Sequence, residues 1–402
     1  MFYIKVAFYK AIMQVLKLAG KLIPQTQPFI FTGKDASLAL TKLIIEQDKQ
    51  HVFIVTDAVL NKLGIANKVC EQLALHNVNV TVFDQVTPDP SEAVVNAGIA
   101  LLKAQQCDLV LAIGGGSSID AAKMMAVLAH SRQTIKGVAG LLKIKKLGLP
   151  LCVIPTTSGT GSEVTMAAVI TDTDSQSKSL IVSPKMLAMA TALDPLMMSG
   201  MPAKITADTG FDALTHAIEA YLSTYANAQT DQFSLTAIKL IFKQLPQCYH
   251  QGNDLDARQS LALASCYAGL AFNKTNVGYV HAISHQIGAK YHSPHGFTNA
   301  VVLPSILEFY CQGCEQRLAE MAAAIGINTS LLSAAEAAQQ FIMAVKTLQK
   351  EVAIPAKLAC INQQDISELS KSALQEAHYF YPVPKYLTRQ QCETILYNLC
   401  DD

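Results

Sequence analysis

The sequence is poor in charge. Only 15% of its 402 residues are Asp, Glu, Lys or Arg while half are hydrophobic, so long disordered stretches are excluded and a large core can be built. Neither sign is in excess, with 31 basic and 31 acidic residues, which removes the electrostatic reason to expect nucleic acid as a partner. A small-molecule substrate suits this balance better. No apolar run reaches the roughly 18 residues that span a bilayer, so no integral membrane segment is expected. The paired CxxC spacing of a zinc ribbon is missing from the ten scattered cysteines, and the lone Cys311-x-x-Cys314, after an apolar stretch, reads as buried thiols. Such cysteine usage fits a reducing cytoplasm. Internal repeats and low-complexity tracts are lacking too.

Acidic residues are absent before Asp35, whereas Lys5, Lys10, Lys17 and Lys21 stand among apolar residues. Lys10 and Lys17 interrupt the only candidate signal-peptide core and no A-x-A site follows, so a secretory signal is not expected. Residues 1–27 read as a basic amphipathic extension, either resting on a membrane surface or packed on this chain or a sister subunit.

At about 150 residues per domain the length suggests two or three domains. Residues 51–57, 78–84, 107–113 and 149–154 are short β-branched, apolar runs that read as buried strands, and the patterns at 91–105 and 117–129 between them read as helices. That alternation is the signature of a parallel sheet with crossover helices. After Leu193-Asp194-Pro195 the texture becomes a succession of 3.6-period apolar segments. The expected division is therefore an α/β domain over 28–200 and an all-helical domain over 201–402, with a boundary near LDPLMMSGMP.

Gly114-Gly115-Gly116-Ser117-Ser118 follows a strand and opens a helix, where backbone N–H groups and the helix dipole hold a pyrophosphate. Ile119 stands where the last glycine of G-x-G-x-x-G belongs, so the same string also reads as a tight strand-to-helix turn. Asp57 ends a strand. Its carboxylate either accepts ribose hydroxyls, opposing a 2′-phosphate, or caps the next helix. Residues 155–165 (PTTSGTGSEVT) concentrate hydroxyl groups suited to phosphate and ribose oxygens.

Asp212 and His216 are spaced i, i+4 in an apolar helical pattern and project from one helix face. His281, His285, His292 and His295 fall in a 15-residue window where even scattering would put about 0.4 histidines, a signal of metal or acid–base chemistry. His292 reads as structural. Three imidazoles with a carboxylate suit Fe(II), Zn(II), Mn(II) or Co(II) and not Mg or Ca. Spacing leaves open whether His285 or His295 joins Asp212, His216 and His281.

Taken together, Val55-Thr56-Asp57, Thr87-Pro88-Asp89-Pro90, GGGSSIDAAK (114–123), PTTSGTGSEVT (155–165), GFDALTHAIEAY (210–221), Val280-His281-Ala282-Ile283-Ser284-His285 and Pro294-His295-Gly296 resemble the iron-containing (group III) alcohol dehydrogenase family from about Pro28 onward. The resemblance implies a Rossmann-like N-terminal domain and an all-helical C-terminal domain, the dehydroquinate-synthase-like fold, with the active site in the cleft between them. It implies metal ligation by Asp212, His216, His281 and His295, with His285 near the nicotinamide, and a dinucleotide site lined by Asp57, Gly115, Gly116, Ser117, Thr156, Thr157, Thr160 and Lys178. Two strings depart from the family: Tyr381-Pro-Val-Pro-Lys385 replaces a common Asn-Pro-Arg, and the basic extension is not general.

The activity implied is an NAD-dependent alcohol dehydrogenase in which Fe(II), or Zn or another divalent metal, binds the substrate hydroxyl and lowers its pKa. Hydride then passes to NAD, and His285 relays the proton. The expected substrate is an alcohol or its aldehyde or ketone, and the expected assembly a cytoplasmic homo-oligomer, a dimer. Rivals on the same fold are a glycerol dehydrogenase, a maleylacetate reductase or a dehydroquinate-synthase-like lyase, and the rival of another class is a non-catalytic NAD-binding protein. The lyase needs a basic cluster for a phosphorylated substrate, and none stands beside the histidines.

Overall fold

The computed structural model describes residues 2–20, 26–172 and 178–401. Lys21 of the basic stretch lies outside the described residues. The chain divides into two compact units: Pro24–Met201 with Asn253–Ala262, and Met1–Ile23, Pro202–Gly252 and Leu263–Asp402.

The first unit holds strands β1 (Phe29–Thr32), β2 (His51–Val55), β3 (Asn79–Phe83), β4 (Leu109–Gly114), β5 (Gly140–Leu141), β6 (Leu151–Pro155), β7 (Ala167–Thr171), β8 (Lys178–Val182) and β9 (Ala190–Leu193). The helices run α1 (Phe2–Gly20), α2 (Ala36–Glu46), α3 (Ala58–Lys62), α4 (Asn67–Leu75), α5 (Glu92–Ala104), α6 (Gly116–Leu128), α7 (Ile135–Val138), α8 (Ala203–Leu222) and α9 (Ala228–His250). They continue with α10 (Leu255–Thr275), α11 (Tyr279–Tyr291), α12 (His295–Tyr310), α13 (Glu315–Ala324), α14 (Ala334–Glu351), α15 (Ile366–Phe380) and α16 (Arg389–Leu399).

Six strands form a sheet in the order β1-β9-β6-β4-β2-β3, every pair parallel. Its central strands are buried on both faces, which is why they read as continuous apolar runs and not as alternation. Along β4, Val110 and Ala112 join the core under α5 and α6, while Leu109, Leu111 and Ile113 join the core under α2 and α4. The chain leaves β2 for β3 on one side and returns to β4 on the other. That reversal is a topological switch point, and the crevice outside the carboxyl ends of such strands is where ligands bind in open α/β sheets. A smaller sheet, β5-β8-β7, carries one antiparallel pair.

In the second unit α8 packs on α9 and α12, and α11 on α12 and α15. From Gly210 to Leu222 every residue of α8 is buried, as in a helix enclosed on all sides. A polar group on this stretch must then be satisfied inside the protein. Glycine allows the closest approach: a Cβ at Gly296, in the first turn of α12, would stand 2.3 Å from the Asp208 carbonyl oxygen and 3.2 Å from Asp212 Cβ.

Candidate metal centre and dinucleotide loops

The helical unit brings Asp212, His216 and His281 together, each offering a ligand atom within 4.8 Å of the others. The i, i+4 pair on α8 meets His281 from the first turn of α11. Asp212 Oδ1 lies 3.9 Å from His216 Nδ1, 3.7 Å from His281 Nε2 and 3.5 Å from His295 Nε2. His295 opens α12, and the close approach of Gly296 to α8 is what carries it there.

Behind these atoms stands Glu219, one helical turn below His216 and just as buried. Its carboxylate accepts the backbone N–H groups of Gly278 and Val280, at 2.8 and 2.7 Å, and pairs with His281 Nδ1 at 2.6 Å. Two of the unpaired donors at the start of α11 are thereby satisfied, and the ring of His281 is fixed with Nε2 toward Asp212. Burial alone would drive the proton from His281, but Glu219 and Asp212 outweigh it and lift the imidazole to about 9. Burial likewise opposes the charge on Asp212. The facing His216, His295 and His281 overcome that and hold the carboxyl far below the ordinary range.

The donor set fits a cation. Asn299 Nδ2 stands 2.8 Å from Asp212 Oδ1, 3.2 Å from His281 Nε2 and 3.1 Å from His295 Nε2, so three candidate ligand atoms converge on one point. Its own Oδ1 is buried with no hydrogen-bond partner among the described residues. Three imidazole nitrogens and one carboxylate oxygen around a buried point match the tastes of a borderline divalent metal. A histidine core of merely structural use would not need them aimed at each other.

His285 lies beside this group, its ring stacked on His295 with centroids 5.3 Å apart. Nδ1 pairs with Glu376 Oε1 at 2.6 Å, and the same carboxylate accepts the Tyr381 hydroxyl at 2.5 Å and Gln286 Nε2 at 2.7 Å. Burial would raise the Glu376 carboxyl, but these partners bring it below its usual range. Tyr381 belongs to the string that departs from the family pattern, and Lys385 of that string donates to the Phe309 and Gln312 carbonyls. His292 is an exposed αL cap at the end of α11. Cys311 and Cys314 are free thiols.

In the α/β unit, β2, β4 and β6 are neighbours with Val55 opposite Ala112 and Gly114 opposite Pro155, so their carboxyl ends lie side by side at the switch point. Asp57 stands two residues past β2, and it is a cap: Oδ1 accepts the N–H groups of Val59 and Leu60, each at 2.9 Å. A Cβ at Gly115 would lie 3.3 Å from Thr157 Cγ2, and one at Gly116 would lie 2.7 Å from Thr160 Cγ2, so the glycine turn and the hydroxyl loop are in contact. Thr156 is buried beside them, and Ser117 is partly exposed in the first turn of α6. Lys178 opens β8 in the smaller sheet with its ammonium 2.6 Å from Asp89.

The buried staple joining the two loops has no counterpart in the sequence reading. Asp120 accepts the Ser162 hydroxyl at 2.6 Å and the Val169 N–H at 2.9 Å. Lys123, fully buried, donates to Ser162 Oγ, Thr165 Oγ1 and the Ala167 carbonyl at 2.8, 3.1 and 2.7 Å. Both residues lie inside the GGGSSIDAAK string at i and i+3. That spacing was the available signal.

Residues 27–195 match the family described as iron-containing alcohol dehydrogenase, and 206–400 match the C-terminal part of the Fe-containing alcohol dehydrogenase family. The chain belongs to the iron-containing alcohol dehydrogenase family. Among its relatives is the NAD-dependent methanol dehydrogenase of Bacillus methanolicus, 38% identical over 325 residues, which are 80% of this chain and 85% of that one. Alcohol dehydrogenase 4 of Saccharomyces cerevisiae is 36% identical over 384 residues, covering 94% and 98%. Of solved structures, a 1,3-propanediol oxidoreductase superposes with a TM-score of 0.91 at 35% identity, covering 94% of this chain and all of the other. As a member of the iron-containing alcohol dehydrogenases, the chain is an oxidoreductase that moves a hydride between an alcohol and its carbonyl counterpart with a nicotinamide cofactor.

Proposed function

We propose that this iron-containing alcohol dehydrogenase holds one divalent metal, Fe(II) in the first place, on Asp212, His216, His281 and His295, and takes NAD at Asp57, Gly115, Gly116, Ser117, Thr156, Thr157, Thr160 and Lys178. The observation that carries the reading is the convergence of three imidazoles on Asp212 with Glu219 behind His281. When bound, the metal supplies Lewis acidity to the alcohol oxygen and the nicotinamide accepts the hydride. Glu219 fixes the His281 tautomer, leaving Nε2 as a lone-pair donor. With Nδ1 of His285 donating to Glu376, Nε2 of His285 is the atom that takes the hydroxyl proton and passes it to solvent. The paired carboxylate stabilises the imidazolium formed on the way.

We place the enzyme in a reducing, cytoplasmic setting, a reading supported by its ten free cysteines. A homo-oligomer is supported by β1, an edge strand that exposes Phe29 and Ile30.

The test is metal analysis beside kinetics on protein loaded anaerobically with Fe(II) and assayed with NAD(H) and a panel of alcohols and aldehydes. Asp212→Ala should lose metal and turnover together. His285→Ala should keep its metal and lose on the order of 10²-fold in rate. Full metal content and activity in Asp212→Ala would remove the proposed site, and a metal-free His285→Ala would exchange the roles of His285 and His295.

A further inference from the structure

We propose that the outer face of α1 docks on an anionic lipid surface, lying along the membrane and not crossing it. Three side chains seat the helix on its own unit. The Tyr225 hydroxyl donates to the Met13 carbonyl at 2.5 Å, Lys17 donates to the Thr224 carbonyl at 2.8 Å with its ammonium over the Tyr225 ring, and Tyr9 packs on His378, Tyr379 and Tyr386. Met13 is buried. The side left to solvent is not polar, as it is on an ordinary surface helix. Ile4, Phe8, Val15 and Leu18 are exposed by 75, 58, 66 and 63%, and with Ala11 they follow one another at spacings of three and four, a single stripe along the helix. A contiguous patch of this kind marks an interaction surface.

Charge decides what covers it. At 100° per residue, Lys5 falls on one flank of the stripe and Lys10 on the other, Lys17 being turned inward to the Thr224 carbonyl, and no acidic residue precedes Asp35. An apolar face rimmed by ammonium groups matches a bilayer boundary, where the stripe enters the acyl region and the lysines meet phosphate oxygens. A second α1 would bring like charges face to face with no carboxylate to offset them. Among the described residues no helix is long and apolar enough to cross a membrane, so α1 lies in the interface. Each lysine near an anionic surface strengthens binding on the order of fivefold, and the effect is screened by salt.

The test is co-sedimentation of the full chain with vesicles of phosphatidylcholine alone and of phosphatidylcholine with phosphatidylglycerol. Binding should be at least about tenfold stronger to the anionic vesicles and should fall at high salt. It should be lost in F8S/V15S and reduced in K5E/K10E, with alcohol turnover unchanged because these side chains are exposed and none is among the proposed metal and dinucleotide residues. No binding by the unaltered chain, equal binding to both vesicles, or F8S/V15S binding as well as the parent would each overturn the proposal. So would a halving of the solution mass in F8S/V15S, which assigns the stripe to a second copy.

Discussion

Asp57 shows how one side chain can serve two physical roles that a single substitution confuses. Its Oδ1 closes two N–H groups of α3, a cap whose removal typically costs about 1 kcal/mol, and its charge is the proposed barrier to a 2′-phosphate. Asn keeps an oxygen for the cap and removes the charge. Asp57→Asn should therefore leave the melting temperature nearly unchanged while the ratio of kcat/KM for NAD over NADP falls, whereas Asp57→Ala lowers both. A ratio that stays put in Asp57→Asn reduces Asp57 to a cap. At this scale the sequence is legible where a motif is local: Asp212 with His216 on one turn, the glycine turn, the hydroxyl loop. Glu219, Asn299 and Glu376 were not legible, because their meaning lies in partners far along the chain, such as His281 for Glu219 and His285 for Glu376.

Among elements, the contact of α12 with α8 governs the proposed ligand geometry. Ala is the better helix former by up to about 1 kcal/mol, yet a Cβ at 296 would meet a backbone oxygen at 2.3 Å and force α12 outward, and overpacking of this sort costs about 1–3 kcal/mol. Gly296→Ala should thus displace His295 from Asp212 and weaken metal binding by about 10- to 100-fold, with a smaller loss of helical content, measured by metal titration beside circular dichroism. Undiminished affinity would mean that His295 does not depend on this packing. The staple between α6 and the 155–165 loop makes a second prediction. Burial, opposed by backbone bonding and Lys123, pushes Glu163 up to about 7 from the ordinary 4.5. The folded chain then keeps a proton that the unfolded chain releases above 4.5, so this residue's contribution to stability falls as pH rises from about 4.5 to 7. Glu163→Gln should flatten that slope, and chemical unfolding at pH 5 and pH 7.5 should show the parent losing on the order of 2–3 kcal/mol more than the variant. Parallel losses would show that Glu163 is ionised throughout. The strands absent from the sequence reading are β9, fully buried but built of the small residues ATAL that carry little strand signal, and strands whose burial pattern is weak. Strand β1 exposes Phe29 and Ile30 at the sheet edge, and β7 and β8 are half-buried strands with small or exposed residues.

Over the whole molecule, the change from strand-and-helix alternation to helix alone is written in local periodicity, and it falls near Pro195 to Pro202. What periodicity cannot carry is the grouping of Asn253–Ala262 with the α/β unit and of α1 with the helical unit, since both depend on contacts made after folding. The division has a thermodynamic consequence that hydrogen exchange can read unit by unit. A ligand that binds only the folded form adds RT ln(1 + [L]/Kd), about 4 kcal/mol at a thousand times Kd, to the segments whose opening would destroy its site. The proposed metal ligands all lie on α8, α11 and α12, while the proposed dinucleotide residues lie at the ends of β2, β4 and β6, in α6 and at the start of β8. Adding Fe(II) under anaerobic conditions should slow exchange in α8, α11 and α12 by orders of magnitude and leave the amides of β2, β4 and β6 near their metal-free rates. Adding NAD without metal should protect the β4-to-α6 turn and the 155–165 loop first. Metal-dependent protection that appears in the α/β sheet and spares the middle of α8 would place the ion elsewhere, because the turn from Asp212 to His216 cannot open without parting the two residues.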